Sequence, residues 1–138
     1  MEDVICGSCQ CGQVSYELKG KPKLVFACHC TECQKLATAP YSVTAVIAKQ
    51  DIEFMGELRE WSRSSDSGNI NSAKFCPNCG NRIYHFNPED DLTIKLKLKP
   101  VDKATSAIFE PTVHVWTSEK LEWVQIPAGT KCYPKALI

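Results

Sequence analysis

Cysteine is the residue type in this chain that points most directly to chemistry. Seven of the nine cysteines fall in three short motifs, Cys9-Gln-Cys11, Cys28-His-Cys30-Thr-Glu-Cys33 and Cys76-Pro-Asn-Cys79. Two thiolates separated by one or two residues can reach the same tetrahedral zinc ion from one turn of backbone. Disulfides explain the pattern less well, because a bridge between such close neighbours is strained and nine is an odd number. The spacing therefore predicts zinc coordination.

The first and last motifs have the same local pattern. Cys11 and Cys79 are each the second cysteine of a close pair, and each is followed by glycine and then by a predicted strand. The two pairs together supply the four thiolates of a closed structural zinc site that would join two hairpins: Cys9, Cys11, Cys76 and Cys79. Cys6-Gly-Ser-Cys9 is a rival pair, and spacing alone does not choose between it and Cys9-Gln-Cys11.

The middle motif predicts a different kind of site. It supplies three thiolates, from Cys28, Cys30 and Cys33, and no fourth clustered cysteine remains once the four-cysteine site is complete. An open coordination position distinguishes a catalytic zinc from a structural one. The alternative is that another side chain closes the site, for which the candidates are His29, His114, Cys6 and Cys132.

The ligand charge of this open site favours one kind of chemistry. Three thiolates over-neutralise Zn²⁺, so a bound water is less acidified than on a zinc held by three histidines, and hydrolysis by a metal hydroxide is disfavoured. A thiol substrate fits better, because zinc would deprotonate it and hold it as a nucleophile for an aldehyde carbonyl. We therefore predict that Cys28, Cys30 and Cys33 are the catalytic residues.

The elements that must position these cysteines are mainly strands. Short alternating or β-branched runs predict strands at residues 14–18, 24–27, 41–47, 82–86 and 112–116. Residues 92–99 alternate apolar side chains with one threonine and three lysines, which predicts a strand whose lysines lie on a solvated face. Residues 31–39 could form a short helix before Pro40, and the serine-rich residues 62–72 predict a mobile loop.

Length, composition and charge limit the remaining possibilities. A chain of 138 residues with 43% hydrophobic content predicts one domain, spanning residues 1–138. Sixteen basic residues balance sixteen acidic ones, which argues against a nucleic-acid partner or an anionic membrane surface. The N-terminus lacks a secretory signal and no apolar stretch reaches the roughly 20 residues of a membrane span. We therefore expect a cytoplasmic protein, where thiols stay reduced.

The cysteine motifs, taken in order, resemble one known family. GSCQCGQVSY at residues 7–16, CHCTECQK at 28–35 and FCPNCG at 75–80 resemble the glutathione-dependent formaldehyde-activating enzyme family, which includes centromere-protein-V-type members. PTVHVW at 111–116 and LEWV at 121–124 fit the same family, so the resemblance covers nearly the whole chain.

The resemblance implies a fold, two metal sites and an activity. The implied fold is a mainly β, zinc-stapled β-tent built of short antiparallel sheets with little helix. The implied structural zinc is held by Cys9, Cys11, Cys76 and Cys79, which excludes the rival pair with Cys6. The implied second zinc is held by the cysteines of the middle motif. The implied activity is that of a carbon–sulfur lyase, in which this zinc receives the sulfur of glutathione and formaldehyde is converted to S-hydroxymethylglutathione.

Substrate recognition and two other functions are left open by the sequence. The carboxylates of glutathione need basic partners, for which Lys35, Lys74 and Arg82 are candidates. The alternative function is a non-enzymatic interaction module in which both zincs are structural. A third hypothesis, a thiol sensor or zinc donor, follows from the incomplete site and predicts zinc loss on mild oxidation.

Overall fold

The computed structural model describes residues 4–65, 68–98, 101 and 109–136. The strands in these residues are β1 (Val4–Ser8), β2 (Ser15–Lys19), β3 (Leu24–Cys28), β4 (Ser42–Ala48), β5 (Ile52–Met55), β6 (Arg59–Ser64), β7 (Ile70–Phe75), β8 (Arg82–Phe86), β9 (Thr93–Lys97), β10 (Val113–Val115) and β11 (Lys131–Cys132). Helix α1 spans Thr31–Ala37, and two 3₁₀ helices span Lys49–Asp51 and Thr117–Glu119. The prediction of a mainly β fold with little helix is confirmed.

The strands form two sheets. The smaller sheet has the order β1-β2-β5, and the larger has the order β11-β10-β3-β4-β9-β8-β7-β6. All pairings are antiparallel except those of β10, which runs parallel to both β3 and β11. This parallel pairing places Val115 beside Cys28, so the C-terminal part of the chain lies next to the middle cysteine motif.

The two faces of the larger sheet have different surroundings. One face packs against β2 of the smaller sheet and forms the main apolar core, which consists of Tyr16, Leu18, Val25, Ala45, Ile47, Ile94, Leu96, Val101 and Phe109. Successive side chains of a strand point to opposite faces, so alternate residues of β3, β4 and β9 lie on the other face. There the register places Phe26 beside Thr44, and Thr44 beside Lys97. This second face forms the floor of the cavity described below.

The predicted strands and helix are found, with small shifts in their ends. The run predicted at 82–86 coincides with β8, and the short helix predicted from residue 31 is α1. The predicted loop at 62–72 is wrong at both ends, because residues 62–64 belong to β6 and residues 70–72 to β7. Polar side chains pair across these strands: the hydroxyls of Ser62 and Ser72 lie 2.8 Å apart. A serine-rich sequence can form a strand when its partner strand satisfies its polar groups.

Gly56 is a position where the backbone requires glycine. It has a φ of +99°, and a Cβ at this position would lie 2.1 Å from the carbonyl oxygen of Gln13, in the turn that carries Cys9 and Cys11. We expect Gly56→Ala to lower the free energy of unfolding by more than about 2 kcal/mol, since a left-handed conformation alone costs about 1–2 kcal/mol. Gly129→Ala is the matched control, because its φ is +84° but nothing lies within 4 Å of its Cβ. Equal losses in chemical denaturation would contradict a clash at Gly56.

The helices carry no signal for membrane insertion. Within residues 4–65, 68–98, 101 and 109–136, none of them has both the length and the apolar character that a transmembrane helix requires.

Candidate metal centres and the adjoining cavity

Four cysteine sulfurs come together where two hairpin turns meet. Cys9 and Cys11 lie in the turn between β1 and β2, and Cys76 and Cys79 lie in the turn between β7 and β8. Their Sγ atoms all lie within 4.8 Å of one another, with 3.6 Å between Cys9 and Cys11 and 3.7 Å between Cys11 and Cys76. Sulfurs bound tetrahedrally at about 2.3 Å from zinc lie about 3.8 Å apart. The four sulfurs therefore fit a metal ion of this size.

The two turns hold these sulfurs by equivalent backbone contacts. The N–H of Gly12 donates to the carbonyl of Cys9 at 3.0 Å, and the N–H of Gly80 donates to that of Cys76 at 2.8 Å. The backbone N–H of Val14 donates to the Sγ of Cys9 at 3.3 Å. Such N–H donors stabilise the ionised form of a cysteine, which is the form that binds a metal.

The surroundings lower the pKa of some cysteines of this group and raise that of another. A hydrogen bond from the side chain of Asn78 lowers the pKa of Cys11, and a backbone hydrogen bond from Asn81 lowers the pKa of Cys79. Burial raises the pKa of Cys76 to about 11. Full ionisation of the group therefore requires a cation among the sulfurs.

The middle motif forms a second, three-sulfur group. Cys28 ends β3, Cys30 precedes α1 as its N-cap, and Cys33 lies in the first turn of α1. Their sulfurs lie within 4.8 Å of one another, and those of Cys28 and Cys30 are 3.4 Å apart. The Sγ of Cys30 also accepts a hydrogen bond from the backbone N–H of Cys33, so the helix start and the sulfur group share one residue. These three residues could hold a metal ion.

No fourth side chain completes this group in the part of the chain that the structure describes. No other cysteine, histidine or carboxylate among the described residues joins it. The candidates from the sequence lie elsewhere: His29 Nε2 and His114 Nδ1 are 2.8 Å apart and hydrogen-bond to each other. Cys132 is exposed on β11, and Cys6 is exposed on β1. The geometry leaves room for a fourth ligand from solvent or substrate.

Charge among the three sulfurs is unevenly distributed. Hydrogen bonds from Cys28 and Cys30 lower the pKa of Cys33 to about 2, while hydrogen bonds with Cys30 and Cys33 raise the pKa of Cys28. One thiolate therefore keeps its neighbour protonated, because two like charges this close repel. A divalent cation would remove this conflict and allow all three to ionise.

Polar contacts fix α1 and its cysteines to the C-terminal part of the chain. The backbone N–H and the hydroxyl of Thr31 both donate to Oε1 of Glu119, at 2.8 and 2.9 Å. The side-chain amide of Gln34 donates to the carbonyl oxygens of His29 and Glu119. The position of Cys30 and Cys33 therefore depends on contacts with residues nearly 90 positions away.

A cavity of about 700 Å³ adjoins the three-sulfur group, and all three of its cysteines line it. Apolar walls come from Phe26, Val115 and Trp116, among others. A smaller cavity of about 260 Å³ lies beside it, and four residues line both cavities: Glu32, Arg63, Asn71 and His85. Ligand pockets commonly have volumes of about 300–1,000 Å³, so the larger cavity is large enough for a small molecule.

Lys97 lines the larger cavity, and the prediction that it is solvated is wrong. The alternation at 92–99 predicts all three lysines on a solvated face, but Lys97 is only 7% exposed whereas Lys95 is exposed. Lys99 lies outside the described residues. The expectation fails because the second face of β9 borders the cavity, between β4 and β8. No local signal distinguishes Lys97 from Lys95, since burial depends on which strands and loops cover this face.

The three basic residues predicted to bind carboxylates do not all line a cavity. Lys74 forms an ion pair with Glu60 at 3.2 Å and lines neither cavity, because it points to the other face of β7. Lys35 lines the smaller cavity and pairs with Glu32 at 3.5 Å. Arg82 lines the smaller cavity as well, with its guanidinium carbon 5.5 Å from the ring centre of Trp61.

Two arginines of this region, Arg63 and Arg82, line the smaller cavity. Among the described residues, no carboxylate lies within 4.0 Å of a guanidinium nitrogen of Arg63 or Arg82. Burial, followed by the positive charge of Arg63, lowers the pKa of Arg82. Arg63 carries no recognisable motif and was not predicted from the sequence. Two like charges near each other at a cavity wall favour an anionic ligand.

His85 lies beside Arg82 and is held in its neutral form. Its Nε2 lies 3.1 Å from a guanidinium nitrogen of Arg82, which can only donate, so Nε2 must accept. Burial, then the positive charges of Lys97 and Arg82, lower the pKa of His85 to about 3.

We expect the ring of His85 to remain neutral from about pH 8 down to about pH 4, whereas an unfolded histidine titrates near 6.5. At pH 8 the ring is neutral in both the folded and the unfolded chain, so His85 does not change the pH dependence of the free energy of unfolding there. At lower pH only the unfolded chain binds this proton. His85 lowers the free energy of unfolding by about 1.4 kcal/mol per pH unit as the pH falls from 6.5 toward 3. NMR titration of the ring signals, assigned with His85→Gln, checks this; an inflection near pH 6.5 would contradict it.

The fold and the site together define a class of mainly β proteins with a four-cysteine and a three-cysteine group, each of which could hold a metal ion. The family model for glutathione-dependent formaldehyde-activating enzymes matches residues 4–119, so this chain belongs to that family. The resemblance of the cysteine motifs is thereby confirmed.

A solved structure has the same fold. The crystal structure of a Rhodobacter sphaeroides protein from a structural genomics programme matches with a TM-score of 0.53 and 18% sequence identity. The match covers 93% of this chain and 98% of that one. At this identity the likeness concerns the fold alone. None of the curated proteins matches this chain significantly.

Proposed function

We propose that this protein is a carbon–sulfur lyase of the S-(hydroxymethyl)glutathione synthase type, which joins glutathione or a similar thiol to formaldehyde. The thiol sulfur forms a bond to the carbonyl carbon, and the π electrons of the carbonyl move to its oxygen. The proton lost by the thiol ends on that oxygen. Thiol and aldehyde are the only reactants, and their atoms are all found in S-hydroxymethylglutathione.

One observation carries this proposal: the three sulfurs of Cys28, Cys30 and Cys33 line a cavity and lack a fourth ligand among the described residues. A purely structural site would be closed by a fourth protein ligand. Membership of a family described as glutathione-dependent formaldehyde-activating enzymes agrees with a thiol as the missing ligand.

We assign zinc to both cysteine groups, because soft thiolate ligands favour zinc and the four-sulfur spacing fits it. The four-cysteine group, Cys9, Cys11, Cys76 and Cys79, would hold a structural ion. When bound to the three-cysteine group, zinc supplies a Lewis acid that keeps a substrate thiol ionised and nucleophilic at neutral pH.

The remaining cavity residues bind and orient the substrate. Phe26, Val115 and Trp116 form an apolar wall near the sulfurs and exclude water from the reacting carbonyl. Arg63 and Arg82 are placed to bind the carboxylates of glutathione, because neither has an acidic partner among the described residues.

We assign the protein to the cytoplasm because of its cysteines. All nine are free thiols, and two groups of them need to stay reduced to bind a metal. The reducing cytoplasm is the compartment in which such thiols persist.

The experiment that tests the function is exchange NMR on formaldehyde, glutathione and S-hydroxymethylglutathione, with and without the zinc-loaded protein. The uncatalysed addition gives the background rate, and S-methylglutathione, which has no free thiol, is the inert control. We expect a rate above background that rises linearly with protein concentration. A background rate at every protein concentration would reject glutathione as the substrate thiol, and would favour either a different thiol or an interaction module with two structural zincs.

A further inference from the structure

Lys97 is a buried lysine that forms no ion pair with a carboxylate in the part of the chain that the structure describes. Its Nζ donates to the hydroxyl oxygens of Thr44 at 2.9 Å and Ser42 at 3.5 Å. Among the described residues, no carboxylate lies within 4.0 Å of its Nζ. Burying an ammonium group costs several kcal/mol unless an opposite charge compensates it. Two neutral hydroxyls do not supply that charge.

The three-cysteine group borders the same cavity as Lys97. The hydroxyl of Ser42, which accepts from the ammonium of Lys97 at 3.5 Å, belongs to the residue that pairs with Cys28 across β3 and β4. Burial lowers the pKa of Lys97, and interaction with Cys33, Cys28 and Cys30 opposes this by favouring the charged ammonium.

Strand register fixes this arrangement. Cys28 pairs with Ser42 across β3 and β4, and Thr44 pairs with Lys97 across β4 and β9. Ser42 and Thr44 are two residues apart and lie on the same face of β4, so the four side chains are neighbours on three adjacent strands. The contact therefore results from the central pairings of the larger sheet and not from a flexible loop.

The charge of the occupied site explains why a cation is needed there. Three thiolates and one divalent ion sum to one negative charge, and an entering thiolate would raise it to two. The ammonium of Lys97 reduces each of these totals by one. Arg82 also acts electrostatically on Lys97, but it repels the ammonium and so does not compensate its charge.

We propose that Lys97 is the counter-cation of the three-cysteine centre. It is a positioning residue, held by Ser42 beside Cys28, that offsets the surplus negative charge, so that the centre retains a divalent metal and accepts an anionic fourth ligand. The proposal rests on the proposed function for the identity of that ligand, but the effect on metal retention does not depend on it.

The test is the zinc affinity of the second centre in Lys97→Met, measured by competition with a chromogenic chelator. We expect the affinity for the more weakly held zinc to fall about 10- to 100-fold, as is typical when an outer partner of a metal site is removed. The melting temperature should stay the same or rise, because a buried charge is replaced by an apolar side chain of similar length. If Lys97 only supported the fold, its replacement would lower the melting temperature and leave the zinc affinity unchanged.

Lys95→Met is the matched control, since Lys95 lies two residues earlier on the same face of β9 and lines the same cavity. We expect it to leave zinc affinity unchanged. In a Cys30→Ser background, Lys97→Met should not alter the affinity for the one remaining zinc, which assigns the effect to the three-cysteine centre.

An unchanged zinc affinity in Lys97→Met would overturn the proposal. Should that variant not fold, Lys97→Gln removes the charge while keeping a polar group near Thr44, and the same loss of affinity is expected. The readout is metal affinity, so the two proposals can fail separately. If Lys97→Met loses zinc affinity but the wild type shows no exchange activity, the lyase reaction with glutathione is rejected and the role of Lys97 is kept.

Discussion

Replacing Cys76 with serine is expected to unfold the protein under native conditions. Cys76 is fully buried, and its sulfur group joins two turns that are 65 residues apart between Cys11 and Cys76. Structural zinc sites contribute about 10–16 kcal/mol of apparent binding free energy. Natural domains have a net stability of only about 5–15 kcal/mol. Loss of one thiolate from the four-cysteine group therefore removes most of the net stability of the folded protein.

Circular dichroism and thermal denaturation, with zinc content measured on the same samples, check this prediction. Cys132→Ser is the matched control, because that thiol is exposed, lies outside both sulfur groups and donates to the carbonyl oxygen of Thr130 at 3.6 Å. The control should melt like the wild type. A Cys76→Ser protein that melts at the wild-type temperature with one zinc fewer would show that this group does not hold the hairpins together.

Replacing Cys30 with serine should have the opposite profile, in which catalysis is lost and the fold is kept. The catalysed exchange should fall to the background rate, since one of three metal ligands is gone. Serine is among the best N-cap residues, so its hydroxyl can still accept the hydrogen bond from the backbone N–H of Cys33. Helix α1 should therefore form normally.

The measurement is exchange NMR beside far-ultraviolet circular dichroism for the same preparation. Cys6→Ser is the control, because Cys6 is exposed and joins neither sulfur group. Exchange at the wild-type rate in Cys30→Ser would remove the three-cysteine group from the proposed reaction. Unfolding in this variant would instead assign that group a structural role like that of the other.

The local features of this fold follow from the sequence because they depend on neighbouring residues. The strand at Arg82–Phe86 and the helix at Thr31–Ala37 are set by alternation and by the proline at position 40. Strands β6 and β7 are harder to predict, because Ser62 and Ser72 become acceptable in a sheet only when they face each other.

The three-cysteine group was predicted from the spacing of its motif, whereas spacing left Cys6 and Cys11 as alternatives for the four-cysteine group. A separation of one or two residues allows two sulfurs to reach the same ion, and the sulfurs of Cys28, Cys30 and Cys33 meet where β3 ends and α1 begins. The choice of Cys11 over Cys6 as the partner of Cys9 depends on the turn between β1 and β2, where Cys11 lies, while Cys6 is within β1.

Only the tertiary structure decided which charged side chains surround the three-cysteine group. Lys95 and Lys97 have the same local pattern, yet one is exposed and the other is buried beside the sulfurs. Arg63 reaches the cavity because β6 pairs with β7 at the edge of the larger sheet. Strand order and the covering of each face are long-range properties, and the energy of a buried charge depends on partners that local sequence does not specify.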